Sequence, residues 1–229
     1  MKWKKVESKP KNVVQKIEKI DNFQNLHAPL LRFRGSLKGP LSAKAFADFI
    51  TTIHHRKRWD VNIDNVQELY PVQDLDEIND IINTSKHGTC TKLGVGYCQT
   101  KKNFVIDSRE QLTMCGIQRF PTGAAIVWGT EMEDRHNYLF PENTERHTRA
   151  RSHLFCATLV PTNEDDESFD LEYVLQLDSG GNLPVWATTP VIIEAIKCTF
   201  KYAKEFFSGG YDGEIYDYDD LLDLNAIPN

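Results

Sequence analysis

Between Val66 and Leu177 short apolar runs alternate with turn residues. The pattern predicts strands at Val66 to Val72, Thr89 to Cys98, Phe104 to Met114, Gly123 to Thr130, His147 to Leu159 and Phe169 to Leu177. The flanks read differently. Val13, Val14, Ile17, Ile20 and Phe23 fall close to helical spacing and predict a helix. Leu30 to Gly35 reads as a short strand ended by glycine. Gly39-Pro40-Leu41-Ser42 reads as a helix start with Ser42 as N-cap, and Phe46, Phe49, Ile50 and Ile53 line one face of the helix that follows. A short helix is expected from Leu75 to Ile82. After the break at Gly180-Gly181-Asn182-Leu183-Pro184, Pro190 is expected to open a long helix. Its stripe is Ile192, Ile196, Thr199, Ala203 and Phe206, widened by Ile193, Phe200 and Phe207, and Gly209-Gly210 ends it. A face that broad must lie on the preceding sheet. The expected class is α+β, an antiparallel sheet gripping a long C-terminal helix.

Composition adds limits. The chain has 229 residues, 40% hydrophobic and 26% charged, as a globular domain does. The longest apolar run is Ala124 to Trp128, far short of a membrane span, and the lysine-rich N-terminus lacks the apolar core of a secretory signal. The net charge is −6, which argues against a nucleic-acid binder. That charge is unevenly placed. Met1 to Asp21 carries seven lysines, whereas Ser208 to Asn229 carries six acids and no Lys or Arg. Three parts are therefore expected: a basic N-terminal helix or arm (1–25), the main domain (26–207) and an acidic tail (208–229). Cys90, Cys98, Cys115, Cys156 and Cys198 are odd in number and widely spaced, and read as reduced thiols of a cytoplasmic protein rather than a disulfide framework or zinc site.

Signals for catalysis are poor. No GxSxG, HExxH, Walker A or GxGxxG motif occurs. His54-His55 reads as a helix end, Asp178-Ser179-Gly180-Gly181 as a strand-exit turn without the Lys and Ser/Thr of a phosphate loop, and Asp165-Asp166-Glu167 as a solvated loop. Arg56 and Asp60 have two readings. At i,i+4 they meet on one helix face, where an exposed pair is worth roughly 0.2–0.5 kcal/mol. Buried at a cavity wall, the same pair would turn a guanidinium fork toward a lipid phosphate.

Four segments, in order, carry a resemblance: RKRWD (Arg56 to Asp60), IDSREQL (Ile106 to Leu112), RARSHLFCATLVP (Arg149 to Pro161) and LEYVLQLDSGGNLPVW (Leu171 to Trp186). Together with the closing helix they resemble the StAR-related lipid-transfer (START) domain family over roughly Leu26 to Phe207. RKRWD is most similar to the phosphatidylcholine-transfer-protein-like members.

The resemblance implies a helix-grip fold around an apolar tunnel that holds one lipid. Ile192, Ile196 and Phe200 would line the tunnel. The loop from Met132 to Glu145 would help form the lid, with Leu139, Phe140 and Pro141 as its apolar tip. Arg56 would bind a phosphate, Asp60 would orient it, and Arg109 in the arginine-acid segment would join them at the headgroup. The positions of the choline cage fall on Cys98, Gln111 and His153, a set poor at cation–π recognition. The polar anchors of sterol binders fall on Gly96 and Cys115. The implied function is a monomeric carrier, without cofactor, metal or catalytic residues, that moves a glycerophospholipid between membranes, cytoplasmic and touching their surfaces transiently. A lipid sensor or a cyclase-type enzyme of the same fold are the alternatives, the latter resting on Glu131, His147 and His153.

Overall fold

The computed structural model describes residues 2–6, 13–38, 42–51, 56, 60, 62–102, 107–141, 147–162 and 168–205. His54-His55, Ile53, Ile106, residues 142–145, Asp165-Asp166-Glu167 and everything from Phe206 onward, including the acidic tail, lie outside them.

Among the described residues, ten strands form one sheet: β1 (Lys4–Lys5), β2 (Val14–Ile20), β3 (Leu30–Lys38), β4 (Ile63–Pro71), β5 (Thr89–Thr100), β6 (Arg109–Arg119), β7 (Ala125–Glu131), β8 (Thr148–Arg149), β9 (Arg151–Pro161) and β10 (Ser168–Asp178). The order is β1-β2-β3-β10-β9-β7-β6-β5-β4, antiparallel throughout, with β8 alone pairing in parallel on β6. The described helices are α1 (Ala43–Thr51), α2 (Asp76–Ile81), α3 (Thr84–His87) and α4 (Val185–Glu205). This is the expected α+β architecture, a large antiparallel sheet with a long C-terminal helix. The Ser42 cap is in place, its hydroxyl accepting from the Ala45 amide at 2.9 Å.

Three expectations are corrected. The segment from Val13 to Phe23 is not a helix: it is β2 followed by a short 3-10 turn at Phe23–Asn25. The register of β2 on β3 shifts between Val14 and Lys16, so Val14 faces Gly35 and Ile17 faces Phe33. That bulge puts residues three apart on one face, which imitates helical spacing. Val13, Val14 and Ile17 are buried in the core, and the basic N-terminal segment is an edge of the sheet. Gly35 is required there, because a Cβ would lie 1.8 Å from the Val13 carbonyl oxygen.

The long helix starts at Val185, five residues before Pro190. The Ala187 and Thr188 amides both donate to the Pro184 carbonyl, at 2.9 and 3.2 Å. Pro190 removes only the donor that would meet the Trp186 carbonyl, and Trp186 is 79% exposed, a position open to solvent. The third strand of the series runs from Arg109 to Arg119 rather than from Phe104 to Met114.

The core is shared by both helical layers. Phe46 of α1 stacks against Phe169 of β10 and Phe200 of α4, with ring centroids at 5.2 and 6.5 Å. Phe200 meets Tyr173 edge-on at 5.4 Å, and Tyr173 meets Phe33 at 6.1 Å. These rings clamp the C-terminal half of α4 to the sheet, each pair adding about 0.5–1.5 kcal/mol to plain burial.

On the other face, Glu18 receives Arg34 Nη2 at 2.5 Å, Arg32 Nη2 at 2.8 Å and Lys16 Nζ at 2.9 Å. The Arg34 hydrogen bond is the main cause that holds the Glu18 carboxyl at about 2; burial opposes it, and Lys16 and Arg32 reinforce it. The folded pKa lies below the unfolded one. The stabilisation is therefore complete above about pH 5 and disappears as the pH falls through about 2. Urea midpoints should fall along that acid limb, and Glu18→Gln should lower the midpoint near neutrality while flattening the limb.

Candidate functional site

Between the sheet and α4 lies a cavity of about 500 Å³. It lies along the part of α4 between two supports, the aromatic clamp and the turn at Ser179. The aromatic clamp fixes the Phe200 end, while Val191, Ile192, Ala195 and Ile196 of the preceding turns face open space. The opposite wall comes from alternate residues of the strands: Cys98, Gln111, Tyr173 and Leu175 among them.

All three residues expected at a headgroup, Arg56, Asp60 and Arg109, line this cavity, as do the three expected tunnel residues Ile192, Ile196 and Phe200. Arg56 and Asp60 are joined by one helical turn, the Asp60 amide donating to the Arg56 carbonyl at 2.8 Å. Asp60 is 2% exposed; its Oδ2 receives Arg56 Nε at 3.4 Å, and its Oδ1 receives the Asn62 amide at 3.1 Å and Asn62 Nδ2 at 3.3 Å. The carboxylate is thus fully employed, whereas both Arg56 Nη atoms are without a partner among the described residues. Burial pulls the Arg56 pKa down, but Asp60, then Cys98 and Tyr173, more than offset it, so the group stays charged. The pair stands at the cavity wall with Asp60 buried and Arg56 half-buried.

Arg109 is buried by different means. Its Nε donates to the Ser179 carbonyl at 2.7 Å, and Nη1 to the carbonyls of Asp107 and Ser108 at 2.9 and 3.4 Å. It ties the β5–β6 connection to the turn before α4, where Gly180 and Gly181 take φ of +65° and +72°. No carboxylate contacts it among the described residues, and burial lowers its pKa. Burial likewise pushes the Cys98 and Cys115 thiols up and the Tyr173 phenol up to about 12. These groups stay neutral. The charged residues of the described wall are four bases (Arg56, Lys101, Lys102 and Arg109) and one acid, Asp60.

The residues expected at a lid tip close a short helical turn and pack against Tyr97 of the cavity lining. Leu139 ends a 3-10 turn from Asp134, and Leu139, Phe140 and Pro141 do not line the cavity. Phe140 meets Tyr97 edge-on at 6.2 Å and lies under the Arg149 guanidinium at 3.9 Å. Tyr97 lines the cavity next to Cys98, and its hydroxyl bonds to Gln99 and Glu110. His153 is also outside the cavity; its Nδ1 is 2.5 Å from Glu131 Oε1. No group of three or more possible metal ligands occurs among the described residues, and no described helix is long and apolar enough to cross a membrane.

Two features went unread in the sequence. Tyr173 could have been found from the alternation of Leu171, Tyr173, Leu175 and Leu177 on one face of β10. The link from Arg109 to Ser179 spans 70 positions, and nothing local signals it.

No protein-family model matches this chain, and no curated protein is similar to it in sequence. Solved structures are similar in fold. Human StAR-related lipid transfer protein 5 superposes with a TM-score of 0.66 at 15% identity, over 89% of this chain and 85% of its own. Human STARD10 gives 0.64 at 17%, over 89% and 74%. A STAR-related lipid transfer protein fragment from Xanthomonas axonopodis gives 0.60 at 16%, over 89% and 97%. The fold is the START helix-grip fold. Within it, the space between grip helix and sheet is the cavity described above, with the Arg56–Asp60 pair on its wall.

Removing Asp60 leaves the half-buried Arg56 cation without its carboxylate. Asp60→Ala should destabilise the protein by less than the roughly 3–5 kcal/mol of a fully buried pair. Arg56→Met combined with Asp60→Leu should recover most of that loss, as measured by urea denaturation of the single and double variants.

Proposed function

We propose that the protein is a START-type lipid carrier: it takes one lipid into the cavity, a glycerophospholipid held by its phosphate, and moves it between membranes. The single observation that carries this reading is the Arg56–Asp60 pair on the cavity wall, Asp60 buried and Arg56 half-buried, with both Arg56 Nη atoms without a partner among the described residues. A phosphate offers the planar pair of acceptors that such a fork fits. Each chain methylene transferred from water to the apolar wall contributes about 0.8 kcal/mol. Choline selection is not part of the proposal, since Cys98 and Gln111 supply no aromatic cage and His153 is bonded to Glu131 instead.

Leu183, Val185 and Trp186 favour transfer over sensing. They lie between two cavity-lining residues, Ser179 and Val191, and are 37%, 38% and 79% exposed. An exposed Trp beside exposed aliphatic residues suits insertion at a membrane–water interface. Loading then requires the Ser179 turn and the first turns of α4 to part from the β5–β6 connection, where Arg109 joins them. No covalent step enters the scheme, and no cluster of titratable groups with a catalytic arrangement lines the described wall.

Mass spectrometry of lipid extracted from the purified protein should show a phospholipid. Arg56→Met combined with Asp60→Leu, which leaves no unpaired charge behind, should lower phospholipid loading by one to two orders of magnitude, roughly the 1.5–3 kcal/mol of a charge-assisted hydrogen bond. Unchanged loading would remove the phosphate role. Transfer of a fluorescent phospholipid between vesicles separates a carrier from a sensor that binds without moving its ligand.

A further inference from the structure

We propose that the acidic segment 206–229 docks back onto the outer face of the sheet, crossing the basic edge formed by β1–β3 and covering an apolar band that runs from β10 to β5. The proposal goes beyond the lipid-carrier reading and does not depend on what the cavity holds.

The first observation is the band. Cys115, Val127, Ala157 and Tyr173 line the cavity, so their neighbours along each strand face the opposite side of the sheet. On that side Val174 stands opposite Cys156, Cys156 opposite Trp128, Trp128 opposite Gly116, and Gly116 opposite Leu93. Val95 and Met114 form the adjoining pair. The Trp128 ring lies across Gly116, where a Cβ would come within 2.9 Å of it. The row is therefore flat, uncharged and continuous over five strands. Its side chains are half-buried, and Leu154 and Val160 at its margins are 36% and 46% exposed. Both α1 and α4 lie on the cavity side, where Phe46 and Phe200 meet. An antiparallel sheet with helices on one face normally turns polar residues outward. A contiguous apolar patch there marks a contact surface.

The second observation is charge and position. Strands β1, β2 and β3 carry seven bases and one acid. The acids in ion-pair range of them are Glu18, Asp21 and Glu172. Lys5 and Lys38 are exposed and have no ion pair among the described residues. This edge adjoins the band, since Val174 stands opposite Arg32, whose guanidinium lies 4.0 Å from the Trp3 ring. The described part of α4 ends at Glu205, and its last turns are held over β10 and β3 through Phe200, Tyr173 and Phe33. Segment 206–229 thus leaves α4 beside the basic edge. Extended, it spans up to about 80 Å, ample to turn that edge and cross five strands.

The third observation is the order of residues in that segment. Asp212 and Glu214 come first, where the basic edge is nearest. Tyr216 and Tyr218 then alternate with Asp217 and Asp219, and Leu222 and Leu224 flank Asp223. In an extended chain such alternation puts rings and leucines on one side and acids on the other. The apolar side fits the band, and the acidic side faces water. Tethering gives the segment an effective concentration in the mM range, so weak intrinsic affinity suffices.

Cys156 sits at the centre of the band and reports its cover. The full chain is treated with a maleimide, and each thiol is followed by peptide mass spectrometry. The comparison variant combines Tyr216→Ser, Tyr218→Ser, Leu222→Ser and Leu224→Ser. Cys156 should react about tenfold faster or more in the variant. The buried Cys90 and Cys98 should stay slow in both, which shows that the domain is intact. On the unaltered chain, molar salt should also speed Cys156, because it screens the acids from the basic edge. A Cys156 rate that the substitutions leave unchanged would overturn the docking, and one indifferent to salt would overturn the crossing of the basic edge. Protection that grows with protein concentration would assign the band to a second copy of the chain. Protection that appears only with vesicles of anionic phospholipid would assign it to a membrane. Either result overturns the segment as occupant. The salt, concentration and vesicle arms use the unaltered chain and stand whether or not the variant folds.

Discussion

A half-buried guanidinium held at the cavity wall by one buried carboxylate is the interaction on which the rest of the site depends. The contact joins Arg56 Nε and Asp60 Oδ2 at 3.4 Å. Taking two charges out of water costs several kcal/mol per ion, and a pair regains this only when its remaining donors and acceptors are also satisfied. Asp60 meets that condition through Asn62. Arg56 does not meet it among the described residues. Arg56 lines the cavity, so an anionic ligand there would bear on the stability of the pair. A ligand with an anionic head completes a hydrogen-bond set that the folded chain leaves open.

The cavity exists for a mechanical reason. Tightly packed interiors leave few voids larger than water, and a broad apolar helix face would normally sink onto its sheet. Here the rings of Phe46, Phe169, Phe200, Tyr173 and Phe33 fix α4 at its C-terminal half, and the Arg109 link to Ser179 fixes the turn at its other end. Between those two supports Ile192 and Ile196 line empty space. The same supports define what has to move for a ligand to pass. The aromatic clamp is bulky and dry, while the Arg109 link is a few hydrogen bonds at the mouth, beside exposed Leu183, Val185 and Trp186.

Much of this was legible in the sequence. The alternating runs gave the central strands because one face of each is buried, and period-two patterning survives wherever that is so. Ile192, Ile196 and Phe200 were recognisable from the stripe of α4, and Ser42 from cap chemistry. Two failures have physical causes. The bulge between Val14 and Lys16 puts Val14 and Ile17 on one face of a strand, and spacing alone cannot separate that from a helical turn. Pro190 looked like a helix start because proline is tolerated in the first turn; it is tolerated at the sixth position here because the carbonyl it deprives belongs to exposed Trp186. Of the site, Arg56 and Asp60 were visible as an i,i+4 pair, but their burial was not, since burial depends on strands from the whole chain. The placement of Phe140 against Tyr97 depends on the curve of the sheet, which no local pattern records. The basic cavity wall within an acidic chain was invisible for the same reason: the six acids of the 208–229 segment set the whole-chain balance, whereas the wall draws one or two residues from each strand.

The central claim is that the cavity is a lipid site with an anionic head at Arg56. The most direct measurement is a crystal structure of the protein saturated with a phospholipid or a long-chain alkyl phosphate. The account predicts phosphate density within hydrogen-bond distance of the Arg56 Nη atoms and a chain running along Ile192, Ile196 and Phe200. Density for the lipid confined to the outer surface, or a chain in the cavity with its head turned away from both Arg56 and Arg109, would contradict it.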